Sequence, residues 1–195
     1  MQSLKDHPAV DSATAISVIV ACLAANVAVG FVVRKIGLPI YLDTIGTVMA
    51  TILLGWRWGI VTAAFSVILG SLLIWPQYFW YSITAVGIVI SVEFAYWRSL
   101  FSSPLKTVWA GFLIAIVAAV LSAPVTAIFE AATFSGNDVV TAFFRSMGNS
   151  LIGSILLSGF SSEPVDKVTT CLVVYYAIKG IPDYVLKRYH LRGLS

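Results

Sequence analysis

The residues that could do chemistry in this chain are a small set of polar and aromatic side chains in an otherwise apolar sequence. Polar groups can orient a ligand, and aromatic rings can form the walls that bind a flat molecule. We interpret this set as candidates for a pocket that binds a small, flat, polar molecule. The candidate substrate-binding residues are Asn26, Asp43, Trp75, Tyr78, Tyr81, Glu130, Arg145, Asn149, Glu163 and Asp166.

A structural explanation stays open for several of these residues. Asp43 and Asp166 fall in the first turns of predicted helices, where the helix dipole favours a negative charge. Glu163 could be the neighbour of a helix N-cap, and Asn26 could form an interhelical hydrogen bond instead of a ligand contact. The rings at residues 75–81 could mark a membrane interface, where Trp and Tyr collect. Their clustering with carboxylates and amides at one end of the predicted bundle favours the pocket.

Sequence motifs for catalysis are missing. There is no His-Glu-x-x-His, no Gly-x-Ser-x-Gly and no glycine-rich phosphate loop that ends in Gly-Lys. The histidines, His7 and His190, lie in the polar tails. We therefore expect no enzyme activity, no cofactor and no metal site, and any use of ATP would fall to partner subunits. An ion-coupled carrier would usually show an inverted repeat, and the sequence shows no such symmetry.

The composition indicates a membrane protein. Of the 195 residues, 59% are hydrophobic and 11% are charged, whereas soluble domains carry about 25% charged residues. We predict one all-α integral membrane domain over residues 1–195. Cys22 and Cys171 lie in separate apolar segments without metal-ligand spacing, so we interpret them as packing residues. The net charge of +3 carries information about topology and does not indicate a nucleic-acid partner.

The apolar segments predict a six-helix transmembrane bundle, with spans at about 13–33, 40–55, 59–74, 80–97, 105–129 and 164–181. Residues 56–58 would form a tight turn between the second and third spans. Pro164 would open the last helix, since proline suits the first helical turn. The segment at about 139–160 is ambiguous because it carries Arg145, and an arginine facing lipid costs at least a few kcal/mol. We expect it to be an additional short helical or re-entrant segment packed against the bundle.

The basic residues predict the orientation of the bundle. Cytoplasmic segments of membrane proteins carry an excess of Lys and Arg. With six spans and a cytoplasmic N-terminus, Arg34, Lys35, Arg145 and Lys167 fall outside, and the remaining eight of the 12 basic residues fall inside. We therefore expect a multi-pass cell-membrane protein with both termini in the cytoplasm, and Asp43 on the outer side.

Three stretches of the sequence resemble a known family. The segment LPIYLDTIGTVMATILLGWRWGIVTA at residues 38–63 is similar to the second and third helices of the substrate-binding S components of energy-coupling factor (ECF) vitamin transporters. The segment EPVDKVTTCLVVYYAIKGIP at residues 163–182 resembles their last helix. Small residues at i, i+4 and i+7 of the first span let another helix approach closely. This stripe, Ala21, Ala25 and Ala28, is similar to the motif by which the family's first helix docks on the coupling subunit.

The resemblance implies a prokaryotic six-helix membrane protein that captures a vitamin or vitamin precursor from outside the cell. Its partners would be a transmembrane coupling subunit and two ATPase subunits, and it would deliver its cargo by toppling in the membrane. Vitamin B6 is our substrate expectation, because the LPIYLDTIGT region resembles B6-type S components and carboxylates suit a ring with hydroxyls and a nitrogen. Thiamine, a pyrimidine precursor and a queuosine precursor stay open as substrates.

Two alternatives to transport by an ECF system also stay open. A ligand-sensing membrane domain could hold the same molecule and signal to a cytoplasmic partner, although the tail after Pro182 is short for an output domain. A stand-alone carrier could use an ion gradient. The three alternatives differ in whether uptake occurs, and in whether it needs a partner module.

Overall fold

The computed structural model describes residues 12–74, 76–128, 137–182 and 186, and these parts of the chain are helical and contain no strand. The helices are α1 (Ser12–Ile36), α2 (Ile45–Leu54), α3 (Trp56–Leu73), a 3₁₀ helix (Pro76–Tyr81), α4 (Ser82–Trp97), α5 (Pro104–Ile128), α6 (Asn137–Ser146) and α7 (Leu151–Lys179).

Four helical stretches in the described residues are long and apolar enough to cross a bilayer, namely α1, α3, the 3₁₀ helix joined to α4, and α5. Large apolar side chains are exposed around the bundle, as expected for a surface that faces lipid and unusual for a soluble monomer. Examples are Val20, Phe31, Leu72, Ile90, Trp109 and Ile116. The all-helical fold is thus compatible with a protein embedded in a membrane.

Close helix contacts in the core depend on small residues. A Cβ atom added at Gly111 of α5 would lie 2.6 Å from the Cα of Val168 on α7, so only glycine permits this approach. A Cβ atom added at Gly46 of α2 would lie closer still to the backbone of α1, against the carbonyl oxygen of Cys22. Apolar side chains from α2, α4, α5 and α7 fill the space between these contacts, among them Val48, Ile52, Val92, Ile114, Cys171 and Val174.

The second helix begins later than predicted. Residues 37–44 form a loop, and α2 has only 10 residues, which rise about 15 Å and are too short to cross a bilayer. Asp43 lies in this loop, before the N-cap Thr44. Its predicted place in the first turn of a helix is therefore wrong, and the helix dipole does not explain why a carboxylate occurs at this position.

The break between α2 and α3 is smaller than predicted. Gly55 alone separates the two helices, and its φ of 89° is one that other residues rarely adopt. Trp56, Arg57 and Trp58 are the first residues of α3, so the prediction of a turn at these positions is wrong. The hairpin reverses at a single glycine.

The last helix begins 13 residues before Pro164, at Leu151. Ser150 caps it, because its side chain accepts a hydrogen bond from the backbone N–H of Gly153 at 3.1 Å. The predicted start at Pro164 is wrong, and the proline lies inside the helix. Glu163 and Asp166 consequently lie in mid-helix, where neither an N-cap role nor a first-turn role applies. The ambiguous segment at 139–160 divides between α6 and the first part of α7.

Candidate functional site

A cavity of about 340 Å³ lies at the end of the bundle where α1 and α5 end and α4 begins. The 3₁₀ helix, α6 and the first half of α7 contribute to the same wall. Tyrosines, hydroxyl-bearing residues and charged side chains surround a floor of small apolar residues. The aromatic and charged lining residues are Tyr41, Tyr78, Tyr81, Arg34, Asp43, Asp138, Arg145, Glu163 and Lys167.

A first ion cluster, Arg34 with Asp43, joins the end of α1 to the loop before α2. Nη2 of Arg34 lies 3.6 Å from Oδ2 of Asp43, and both side chains are largely buried. The hydroxyl of Tyr78 donates a hydrogen bond to the same carboxylate oxygen. The Arg34 guanidinium also lies over the rings of Tyr41 and Tyr78, at 5.8 and 5.7 Å from their centroids. One cation therefore balances one carboxylate, and two aromatic rings hold the pair in place.

A second ion cluster, Glu163, Asp166 and Lys167, lies on α7. The ammonium of Lys167 contacts Oδ2 of Asp166 and lies 3.5 Å from Oε2 of Glu163. The other oxygen of Asp166, Oδ1, accepts hydrogen bonds from the backbone N–H groups of Tyr41 and Leu42, at 2.9 and 2.7 Å. Asp166 thereby fixes the loop at residues 37–44 against α7, including Leu42 with its positive φ of 49°.

The short helix α6 covers the cavity with its polar face. Asn137 donates a hydrogen bond to the Tyr41 hydroxyl at 3.1 Å and accepts one from the Ser158 hydroxyl at 2.7 Å. These two bonds join α6 to the loop and to α7. Asp138, Thr141 and Arg145 line the cavity, whereas Val139 and Phe143 are exposed on the other side.

Hydroxyl groups line the wall formed by α4 and α5. Ser122 and Thr126 lie one turn apart on α5, and the Thr126 hydroxyl is 2.9 Å from that of Tyr81. The hydroxyls of Thr84 on α4 and of Thr44 before α2 also line the cavity, and both are buried without a hydrogen-bond partner. A buried polar group without a partner is costly, so these hydroxyls are available to a water molecule or a polar ligand in the cavity.

The structure brings many of the candidate binding residues together. Asp43, Tyr78, Tyr81, Arg145 and Glu163 line the cavity. Asp166 lies directly behind the wall, where it holds the loop and Lys167. Trp75 and Glu130 lie outside the residues that the structure describes.

The two candidate amides have structural roles. Asn26 is buried, donates hydrogen bonds to the side chains of Thr47 and Ser66, and accepts one from the backbone N–H of Gly46. It holds two wall residues in place but does not itself line the cavity. Asn149 lies just after α6 and is exposed, and its side-chain amide donates a hydrogen bond to the backbone carbonyl of Phe144 within that helix. The structure does not bring Asn149 to the cavity wall.

Several wall residues were missed in the sequence. Arg34 was used only to predict the orientation of the bundle, and Thr84 has no distinguishing signal in an apolar segment. Tyr41 was treated as part of a span. The spacing of Ser122 and Thr126 at i and i+4, in a span without charges, is a signal that could have been used.

The alanine stripe of α1 faces away from the bundle. Ala21 and Ala28 are exposed and Ala25 is partly exposed, whereas the opposite face packs inward through Ala15, Ile19, Cys22 and Asn26. The described residues of the bundle therefore leave the stripe uncovered.

Within the described part of the chain, no group of His, Cys, Asp and Glu residues is placed to hold a metal ion. Comparisons with protein-family models, with curated proteins and with solved structures found no match to this chain. The features that bear on function are therefore the cavity, its position in the bundle and the residues that line it.

Proposed function

We propose that this chain is the substrate-binding S component of an ECF-type importer, which captures a small vitamin or vitamin precursor for uptake driven by ATPase partners. The observation that carries the proposal is the cavity at one end of an apolar helical bundle. Tyrosine rings, paired charges and unpartnered hydroxyls line it, and α6 and the loop at residues 37–44 enclose it. The unpartnered hydroxyls of the wall do not help to hold the fold together, which favours a role in ligand binding.

The distribution of charge supports a cavity that faces outward. Arg57 at the start of α3, Arg98 after α4, Lys106 at the start of α5 and Lys179 at the end of α7 all lie at the end opposite the cavity. The positive-inside rule assigns that basic end to the cytoplasm. On this proposal α2 with its preceding loop, together with α7, completes six membrane segments, and both termini are cytoplasmic.

The size of the cavity supports a small ligand. Ligand pockets usually measure about 300–1,000 Å³, and 340 Å³ is near the lower limit. A molecule with one or two rings and several polar groups suits this volume and the tyrosine-rich wall. Vitamin B6 remains our substrate proposal, and thiamine, a pyrimidine precursor and a queuosine precursor are the alternatives.

The exposed alanine stripe supports a helical partner. Small side chains allow a neighbouring helix to pack closely against α1. On this proposal the partner is the transmembrane coupling subunit, and two ATPase subunits hydrolyse ATP. Ala21→Leu should leave ligand affinity unchanged and abolish co-purification with an ECF module, because the larger side chain prevents close packing. Val20→Leu, at a neighbouring exposed position, is the matched control and should leave co-purification intact.

The proposal is tested by calorimetry and by vesicle uptake. We expect the purified protein to bind one of the proposed vitamins or precursors, and we expect ATP-dependent uptake only when an ECF module is present in the same vesicles. Binding without uptake would indicate a sensor, and uptake without the module that an ionophore abolishes would indicate an ion-driven carrier. Failure to bind any of these compounds, together with failure to co-purify with the module, would overturn the proposal.

A further inference from the structure

The second ion cluster contains an uncompensated carboxylate. Glu163 and Asp166 provide two negative charges, and Lys167 provides one positive charge. The side chains of these residues are 8%, 0% and 4% exposed, respectively. A net charge buried inside a helical bundle is costly. With both carboxylates ionised, the cluster therefore lacks one positive charge, which a proton on Glu163 or a bound cation supplies.

The two carboxylates differ in how they are engaged. Both oxygens of Asp166 are occupied, one by backbone N–H groups of the loop and the other by Lys167. Oε2 of Glu163 has no hydrogen-bond partner, since the Lys167 ammonium at 3.5 Å exceeds the usual hydrogen-bond distance of about 2.7–3.2 Å. Glu163 lines the cavity, so the uncompensated charge belongs to the carboxylate that a ligand can reach.

The first ion cluster does not supply the missing charge. Arg34 already pairs with Asp43, so this pair has no net positive charge to offset the second cluster. The unpartnered hydroxyls of Thr44 and Thr84 line the same cavity, and hydroxyls can both donate and accept hydrogen bonds. In addition to the unsatisfied oxygen of Glu163, the wall therefore offers two unpartnered hydroxyls that can adapt to a polar ligand.

We propose that Glu163 is the subsite for a positively charged nitrogen, and that this protein selects ligands that carry a protonated amine. The inference rests on the proposed function and narrows its substrate class. The ammonium of the ligand donates a charge-assisted hydrogen bond to Oε2 of Glu163. Binding then gives the second cluster two cations for its two carboxylates.

The test uses pairs of probes that differ in one amine. Pyridoxamine and pyridoxine differ by an ammonium in place of a hydroxyl, as do the 5-aminomethyl and 5-hydroxymethyl forms of 4-amino-2-methylpyrimidine. The third pair is the 7-aminomethyl and 7-cyano forms of 7-deazaguanine. Calorimetry with the full chain in detergent at neutral pH should show the amine binding at least about 10-fold more tightly in the pair that binds, a difference of about 1.4 kcal/mol.

Two variants test whether the charge of Glu163 causes the preference for the amine. Glu163→Gln keeps the shape of the side chain and removes its charge, so it should abolish the preference for the amine and bring the affinities of the two probes to within about twofold of each other, or about 0.4 kcal/mol. Glu93→Gln is the matched control, because Glu93 is a partly buried carboxylate on α4 that does not line the cavity. It should retain the preference. The comparison of probes on the unaltered protein stands even if Glu163→Gln does not fold.

The outcomes separate this inference from the proposed function. A neutral probe that binds as tightly as its amine partner overturns the inference and leaves the proposed function intact. A preference that persists in Glu163→Gln also overturns it, because the charge then resides elsewhere. If none of the six probes binds, the inference is overturned, and the proposed function fails as well only if the chain does not co-purify with an ECF module.

Discussion

Two ion clusters face the same cavity, and they differ in position and in charge balance. Arg34 and Asp43 lie where a helix meets a loop, and they pair one cation with one carboxylate. Glu163, Asp166 and Lys167 lie inside a continuous helix, and they combine two carboxylates with one cation. The charges of the balanced cluster cancel without a ligand. In the unbalanced cluster the two carboxylates have different roles. Asp166 holds the loop, and Glu163 faces the cavity with an unsatisfied oxygen.

Within four residues of α7, one carboxylate therefore stabilises the fold and the other is available to bind a ligand. Asp166 is fully buried and fully engaged, so its role is to position the loop that encloses the cavity. Glu163 is nearly as buried but contributes no good hydrogen bond. A buried carboxylate without a good hydrogen bond does not stabilise a fold, whereas in a binding site it can accept a hydrogen bond from a ligand. The predictions that follow change one side of this comparison at a time.

The largest effect is expected for Asp166→Ala. This change leaves the N–H groups of Tyr41 and Leu42 without their acceptor and removes the closest partner of Lys167. Breaking a buried ion pair costs about 3–5 kcal/mol, so the free energy of unfolding in detergent should fall by roughly that amount. Glu163→Gln should lower it by less than about 1 kcal/mol. Equal losses in the two variants would contradict the division of roles.

A smaller effect is expected for Asp43→Asn. The change removes the negative charge that pairs with Arg34 beside the cavity, so the guanidinium repels a positively charged ligand more strongly. Affinity for the amine-bearing probe should fall by about 10-fold, or about 1.4 kcal/mol, while the neutral probe changes less. Calorimetry on both probes measures the difference.

Tyr78→Phe is the matched control for the charge of the first cluster. It removes one hydrogen bond to Asp43 but leaves both charges in place, so any loss of affinity should be similar for the amine and the neutral probe. Equal loss for both probes in Asp43→Asn would show that the balance of this cluster does not act on the ligand.

The smallest effect is expected for Asn149→Ala. Asn149 is exposed, and its side chain donates to the carbonyl of Phe144 at 2.9 Å, away from the cavity wall. Ligand affinity should stay within about twofold, because exposed substitutions of this kind usually change stability by less than about 0.5 kcal/mol. A loss of tenfold or more would place Asn149 in the site, as the sequence had predicted.

The fold could be predicted where apolar length carried the signal. The helices at residues 12–36, 82–97 and 104–128 match predicted segments closely, since a long apolar run permits little else in a bilayer. Pro164 misled the prediction because Glu-Pro after two serines has the composition of a helix start. In the folded chain Ser150 provides the cap instead, and packing against α5 continues the helix through the proline.

The site could be predicted only in part, because some of its residues act through contacts between distant parts of the sequence. Asp43, Tyr78, Tyr81 and Glu163 were expected to converge because charged and aromatic residues are rare in an apolar chain. The roles of Asp166 and Arg34 depend on contacts across the fold: the N–H groups of Tyr41 and Leu42 lie more than 120 residues from Asp166 in sequence. A local sequence pattern carries no information about a hydrogen-bond partner that is so distant in the sequence.

The central claim is that the cavity holds a vitamin-like molecule, and mass spectrometry of the denatured, freshly purified protein tests it most directly. We predict release of one small molecule with one or two rings and a basic nitrogen, in an amount that approaches one per chain and is absent from a detergent blank. Release of only lipid or detergent, from protein that also binds none of the proposed vitamins when they are added, would contradict the claim.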